Sequence, residues 1–91
     1  MQEMNVGENW LIQTVTHYVI GTIEAINEKD IWLKSGTASW VAVTGRFHNF
    51  MKVGVIKETE VEPFGDVPVL VKQQAIVISA PWKHPLPKAQ Q

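Results

Sequence analysis

The only arginine of the chain lies in a segment whose side chains could together bind an anion. A guanidinium group binds phosphate or carboxylate through two parallel hydrogen bonds, which an ammonium group cannot form. Arg46, His48 and Asn49 are therefore predicted to form a pocket that holds a phosphate next to a stacked base. The alternative is structural, because Arg46 could instead form an ion pair with Glu60 or Glu62 across a subunit boundary.

Two tryptophans in predicted strands, Trp32 and Trp40, are candidates for stacking on nucleotide bases. Where it occurs, such stacking contributes about 1–3 kcal/mol per base. In a small β-domain the same residues could equally belong to the core or to an interface. We assign Trp40 to the predicted ligand site and leave both alternatives open.

Three carboxylates alternate with other residues at Glu58, Glu60 and Glu62. On a strand they would project from one face about 6.6–7 Å apart, a spacing that could hold Ca²⁺ or Mg²⁺ through water. A solvated strand face explains the same pattern. The three histidines are widely separated and the chain has no cysteine, so the spacing of a zinc site is missing. No nucleophile, base or phosphate loop is recognisable, and we predict a protein that is not an enzyme and uses no metal or cofactor.

The composition predicts a small single domain with a thin core. The chain has 91 residues, 45% of them apolar, four tryptophans and a net charge of −1. A domain of this size buries only about 60–65% of the surface that its unfolded chain exposes. Either the core is unusually aromatic, or some apolar surface contacts another copy. No apolar run reaches the roughly 18–20 residues of a membrane span, so a cytoplasmic protein is expected.

Residues 18–43 indicate two or three antiparallel strands, and 67–80 indicate a further pair. In residues 10–26 neither period-two face is polar, which predicts strands that are buried on both sides or sharply bent. Gly21 is the expected point of bending. Polar residues at 27–30 predict a hairpin loop, and those at 35–37 a bulge or turn.

The rest of the chain predicts one short helix, further strands and two tails. Aromatic spacing predicts a helical turn over 44–52, with Thr44 as its N-cap and Gly54 as its end. Residues 55–62 and 67–71 are predicted strands. We therefore predict a mainly β fold, a small and strongly bent antiparallel barrel in a single domain over 1–91. Residues 1–9 and 83–91 are expected to be flexible tails, with Trp82 anchored on the barrel.

Two blocks of the chain resemble the Sm-like small β-barrel family, whose architecture is also SH3-like. Such proteins open with an apolar strand containing a glycine and close with two short apolar strands around a polar turn. Residues 19–33 resemble the first block and residues 69–77 the second. Lys72-Gln73-Gln74 stands where the family has an Arg-Gly pair, and the Asp-x-x-Asn of its RNA-reading loop is absent. Segments in 38–47, 60–64 and 75–87 also resemble small uncharacterised proteins of prophage type.

The Sm-like resemblance implies a homo-oligomeric ring, usually of six or seven subunits, that closes by pairing of strand edges. In such rings the turn at Lys72, Gln73 and Gln74 lines the central pore and contacts RNA or nucleotides, although it could also be an ordinary solvated turn. An apolar edge strand near the chain end is expected to pair with a neighbouring copy. The predicted interface residues are Ala75, Ile76, Val77 and Ile78.

Two other functions stay open at this point. The barrel could be a protein-interaction or structural module that uses its tryptophans and proline-rich tail. It could also be an accessory protein of a mobile element that sequesters a small ligand at subunit boundaries.

Overall fold

The computed structural model describes residues 3–43 and 45–91, and it is mainly β, with seven strands and one short α-helix. The elements, in chain order, are β1 (Asn9–Thr14), β2 (Tyr18–Ile26), β3 (Asp30–Leu33), β4 (Ser39–Val41), α1 (Phe47–Val53), β5 (Val61–Pro63), β6 (Val69–Lys72), a 3₁₀ turn (Gln73–Ala75) and β7 (Ile76–Pro81). All strand pairs are antiparallel. The prediction of a mainly β fold with one short helix is confirmed.

The strands form one antiparallel sheet that is not closed. Its main path runs β5-β4-β2-β1-β7, and β3 joins β2 to β6. Within the described residues, β6 pairs with β3 and β7 pairs with β1, and the 3₁₀ turn alone connects β6 to β7. The prediction of an antiparallel sheet is confirmed, but the structure does not show the small, strongly bent barrel that the sequence predicts, because the sheet does not close.

Strand β2 organises the sheet because it pairs with three other strands. Its first half pairs with both β1 and β4, and its second half pairs with β3 after a bulge between Ile23 and Ala25. Gly21 lies close to the point at which β2 stops pairing with β4 and starts to pair with β3. A Cβ atom there would lie 3.2 Å from Leu33 Cδ1 and 3.3 Å from the Cα atom of Ala38. Glycine thus permits the close approach of the strands at this point.

Both faces of the main sheet are covered, as the apolar character of both faces predicted. Neighbouring residues of β1 belong to different cores, because successive side chains of a strand point to opposite faces. Trp10 and Ile12 lie in a first core with residues of β2, β3 and β6. Leu11 lies in a second core with Phe50 of α1 and Trp82.

Helix α1 is short and is held by its aromatic face. Phe50 is buried, and Phe47 and Met51 pack against the same second core. Gly54 ends the helix with φ of 81°, and its N–H donates to the carbonyl of Phe50. The predicted helix and its end at Gly54 are confirmed. The predicted N-cap, Thr44, lies outside the described residues.

The prediction of a strand over 55–62 is wrong for most of its length. Only Val61–Pro63 are in a strand, because a turn occupies the preceding residues. The backbone N–H of Ile56 donates to the hydroxyl of Thr59 at 3.1 Å, and the N–H of Thr59 donates to the carbonyl of Ile56 at 3.0 Å. A threonine that satisfies the backbone in this way favours a turn over a ladder. Glu58, Glu60 and Glu62 consequently do not share one strand face.

Residues 83–91, where the sequence predicts a flexible tail, follow the anchored Trp82 and pack along the sheet in the structure. Trp82 is buried, and its N–H donates to the carbonyl of Asn9. Farther along, Gln91 exchanges two backbone hydrogen bonds with Val61 of β5, at 2.9 and 3.1 Å. At the other end of the chain, the N–H of Gly7 donates to the carbonyl of Ile23.

Candidate functional site

The three residues of the predicted pore turn form a polar groove at the end of β6. The groove has a volume of about 360 Å³, and Glu28 and Lys29 of the β2–β3 loop complete its lining. Lys72 forms an ion pair with Asp30 at 2.9 Å. The backbone N–H of Gln73 donates to the carbonyl of Lys29, and its side-chain amide donates to the carbonyl of Asn27.

These contacts fix the turn and neutralise much of its charge. Lys29 and Lys72 bring two positive charges, whereas Glu28 and Asp30 bring two negative ones. A site for phosphate normally has an excess of positive charge. In one chain, therefore, the groove can offer amide groups to a ligand but has little net electrostatic attraction for an anion.

The predicted arginine pocket lies on the other side of the sheet. Arg46 precedes α1, and its carbonyl accepts the hydrogen bond of the Phe50 N–H. Arg46, His48 and Asn49 are all exposed. Because α1 packs on the second core and β6 on the first, the sheet separates this group from Lys72. The structure does not bring the two predicted anion sites together.

Within the described residues of one chain Arg46 forms no ion pair with Glu60 or Glu62, and the alternative of such a pair across a subunit boundary stays a prediction. Within residues 3–43 and 45–91, Lys72–Asp30 is the one ion pair found. The same residues contain no cluster of three or more histidine, aspartate or glutamate side chains that could hold a metal ion. No helix among them is long and apolar enough to cross a membrane.

Trp40 lies in an exposed aromatic cluster, which we define as His17, Trp40 and Phe64. The rings of His17 and Trp40 are stacked, with centroids 4.8 Å apart and planes inclined by 20°. Phe64 meets Trp40 edge-on, also at 4.8 Å. Trp40 keeps 42% of its surface exposed. By contrast, Trp10 and Trp82 are buried, and their indole N–H groups donate to Glu8 and to the carbonyl of Pro85.

Two grooves meet at this aromatic cluster. The first, of about 450 Å³, continues from His17 and Trp40 past Glu60 and Glu62 to the C-terminal glutamines; we call it the acidic groove. The second, of about 400 Å³, is mostly apolar and runs between the β1–β2 turn and β6. An aromatic surface between an acidic and an apolar groove can bind a side chain or a short segment.

Sequence reasoning identified Trp40 but missed His17 and Phe64. The signal for His17 was available, because it shares a period-two face with Val19. The sequence does not show that His17 lies next to Trp40, because this depends on the register that pairs Val19 of β2 with Trp40 of β4. Phe64 reaches the cluster from the end of β5.

The predicted interface segment forms the outer strand of the sheet. Ile76 packs partly against the first core, and Val77 and Ile78 are 57% and 50% exposed. Ala75 ends the 3₁₀ turn that leads into β7. Comparisons of the chain with protein families, with curated proteins and with solved structures find no match in any of the three.

Proposed function

We propose that the protein is a non-enzymatic assembly module in which the free edge of β7 pairs with another copy of the chain. The observation that carries this proposal is that, among the described residues, β7 pairs with β1 alone and leaves an uncharged outer edge. On its inner side it pairs with β1 over Trp10 to Thr14. Exposed edges that lack charges, proline or a cover invite pairing with another strand.

The other free edges of the sheet are better protected. Gln91 covers the outer side of β5 through its two hydrogen bonds with Val61. Strand β6 is preceded by Pro68 and ends at Lys72, and both are exposed. Strand β7 has the sequence IVISAP, whose one proline is its last residue.

The register of β1 and β7 indicates which backbone groups of β7 point outward. The N–H of Trp82 donates to the carbonyl of Asn9, and the pairing continues with Trp10 opposite Pro81 and Ile12 opposite Ser79. Hydrogen-bonded pairs alternate along an antiparallel ladder. Pro81 and Ser79 therefore occupy positions whose N–H groups would face away from β1. Pro81 loses no ladder bond there, and Ser79 has a donor for a neighbouring strand.

The form of the assembly depends on which strand edge of the neighbouring copy pairs with β7. Pairing of β7 with β7 of another copy uses a single edge and gives a two-fold dimer, whereas pairing of β7 with β6 of the next copy gives a ring. A ring of six or seven barrel-like subunits is the form that the Sm-like resemblance implies. Strand β6 is the second edge that such a ring would use: Pro68 and Lys72 protect its two ends, and Leu70 between them is 39% exposed.

A lysine in place of Val77 should separate the copies without unfolding them. We expect the wild-type protein to elute as a multiple of 10.3 kDa and the Val77→Lys variant as a single chain, because the new charge would have to be buried against the neighbouring strand. Size-exclusion chromatography with native mass spectrometry measures this. Val53→Lys is the matched control, since Val53 is 50% exposed on α1. Equal masses for both variants would refute the role of β7.

Binding of RNA or nucleotides at Lys72, Gln73 and Gln74 remains a secondary proposal. A ring would repeat the turn around its pore and so concentrate whatever positive potential Lys29 and Lys72 retain. Salt-dependent retention of the wild type on poly(U), lost in Lys72→Ala, would support it. Retention of both proteins alike would exclude this turn as the binding site.

A further inference from the structure

Among the described residues, the acidic groove carries two carboxylates and no lysine or arginine side chain. Its polar lining comes from Glu60, Glu62, Gln90, Gln91 and the imidazole of His17, and the two glutamates are its acidic side chains. The side-chain amide of Gln90 donates to Glu62 at 3.1 Å, which fixes that carboxylate at the groove wall. A ligand that complements this groove must be cationic.

The strand register sets Glu62 beside the exposed indole of Trp40. Ile12 pairs with Val19, Val19 with Trp40, and Trp40 with Glu62, so the four form one row across the sheet. Directly paired side chains project from the same face with Cβ atoms about 4.5–5.5 Å apart. The row begins in the first core and ends at the surface. Its first two residues, Ile12 and Val19, are buried, and its last two, Trp40 and Glu62, are exposed.

An indole next to a carboxylate suits a guanidinium or ammonium group. Cations are attracted to the electron-rich face of tryptophan within about 6 Å, and the carboxylate adds a charge-assisted hydrogen bond. The orientation of the aromatic cluster is fixed, because His17 stacks on Trp40 and its Nδ1 lies 2.7 Å from the hydroxyl of Thr16. A ligand therefore meets an ordered surface and loses little entropy in ordering it.

The apolar groove on the other side of the aromatic cluster indicates that the ligand has an apolar group next to its cationic group. It includes Val15, Val69 and Leu70, and Val15 is 83% exposed. A free amine or metal ion would use only the acidic groove. An extended peptide that carries a basic residue close to an apolar one would occupy both.

We propose that the His17–Trp40–Phe64 cluster and its two grooves bind a basic, apolar extended peptide segment of a partner protein. The basic side chain lies between Trp40 and the carboxylates of Glu60 and Glu62, and the apolar side chain lies against Val69 and Leu70. The site uses none of the outer edge of β7, so a dimer paired through β7 alone would leave it open, whereas a ring that pairs β7 with β6 would bring a neighbouring copy next to Leu70.

The test uses a fluorescein-labelled hexapeptide of alternating leucine and arginine. We expect saturable binding to the full-length protein by fluorescence anisotropy, weakened by salt. The same peptide with citrulline in place of arginine, which keeps the shape and removes the charge, should bind at least about tenfold more weakly. Trp40→Ala should weaken binding of the arginine peptide by at least about tenfold.

The carboxylates are tested with a double variant and a matched control. Glu60→Gln with Glu62→Gln should weaken binding about three- to tenfold, since two exposed charge pairs are lost while the amide can still accept from Gln90. Glu58→Gln should leave it unchanged, because Glu58 is exposed but does not line the groove. Circular dichroism verifies that each variant is folded. No saturable binding of the arginine peptide, equal binding of the citrulline peptide, or an equal effect of Glu58→Gln would overturn the proposal.

Discussion

Replacing Trp82 by alanine is expected to lower the free energy of unfolding by about 3–5 kcal/mol, the usual cost of removing a buried tryptophan. Trp82 is 3% exposed, and its ring centroid lies 5.5 Å from that of Phe50 and 5.0 Å from that of His84. It thus joins the C-terminal segment to Phe50 of α1 within the second core. Small domains are stable by about 5–15 kcal/mol, so the loss would consume much of the total.

The matched variant is Trp40→Ala, which removes a tryptophan that is 42% exposed. We expect this change to cost about 1 kcal/mol or less, as is usual for a surface position. Urea denaturation of both variants at one protein concentration compares them, because self-association would otherwise add its own stabilisation. Equal midpoints for the two variants would show that residues 82–91 do not contribute to the core.

Replacing Gly54 by alanine is the second large effect, expected at about 2–6 kcal/mol. Gly54 has φ of 81° and ψ of −162°, a combination that is essentially restricted to glycine and costs other residues about 1–3 kcal/mol. A Cβ atom there would also lie 2.8 Å from Cγ of His84. The ring would have to move, and such overpacking costs about 1–3 kcal/mol more.

His84 has little freedom to move. Its Nε2 lies 2.8 Å from the carbonyl oxygen of Met51, and its ring meets Trp82 edge-on. Gly65→Ala separates the two causes, because Gly65 has φ of 82° but its Cβ would meet nothing within 4 Å. We expect that control to cost only about 1–2 kcal/mol. Thermal unfolding measures both, and a Gly65→Ala loss as large as that of Gly54→Ala would rule out the contact with His84.

Local signals in the sequence were sufficient for most of the elements. The polar loop at 27–30 forms because Asn27 Oδ1 accepts from the N–H groups of Lys29 and Asp30, both at 2.9 Å. Gly54 alone predicted the end of α1, and the spacing of Phe47, Phe50 and Met51 predicted its buried face. These features depend on residues a few positions apart, so a single sequence contains them.

The features that sequence reasoning missed depend on contacts between distant residues. The aromatic cluster needs the register of β2 against β4. The turn at 56–59 is a local exception, because there one threonine hydroxyl outweighs a β-like pattern. The course of residues 82–91 depends on two contacts with distant residues: Trp82 packs in the second core, and Gln91 forms hydrogen bonds with Val61 of β5. Proline spacing indicates an extended segment but does not show what it packs against.

Multi-angle light scattering of the wild-type protein over a wide concentration range tests the central proposal most directly. If the free edge of β7 pairs with another copy, the mass at high concentration will be a multiple of 10.3 kDa, and the Val77→Lys variant will show the mass of one chain throughout. A wild-type protein that stays at 10.3 kDa up to the highest concentration would contradict it.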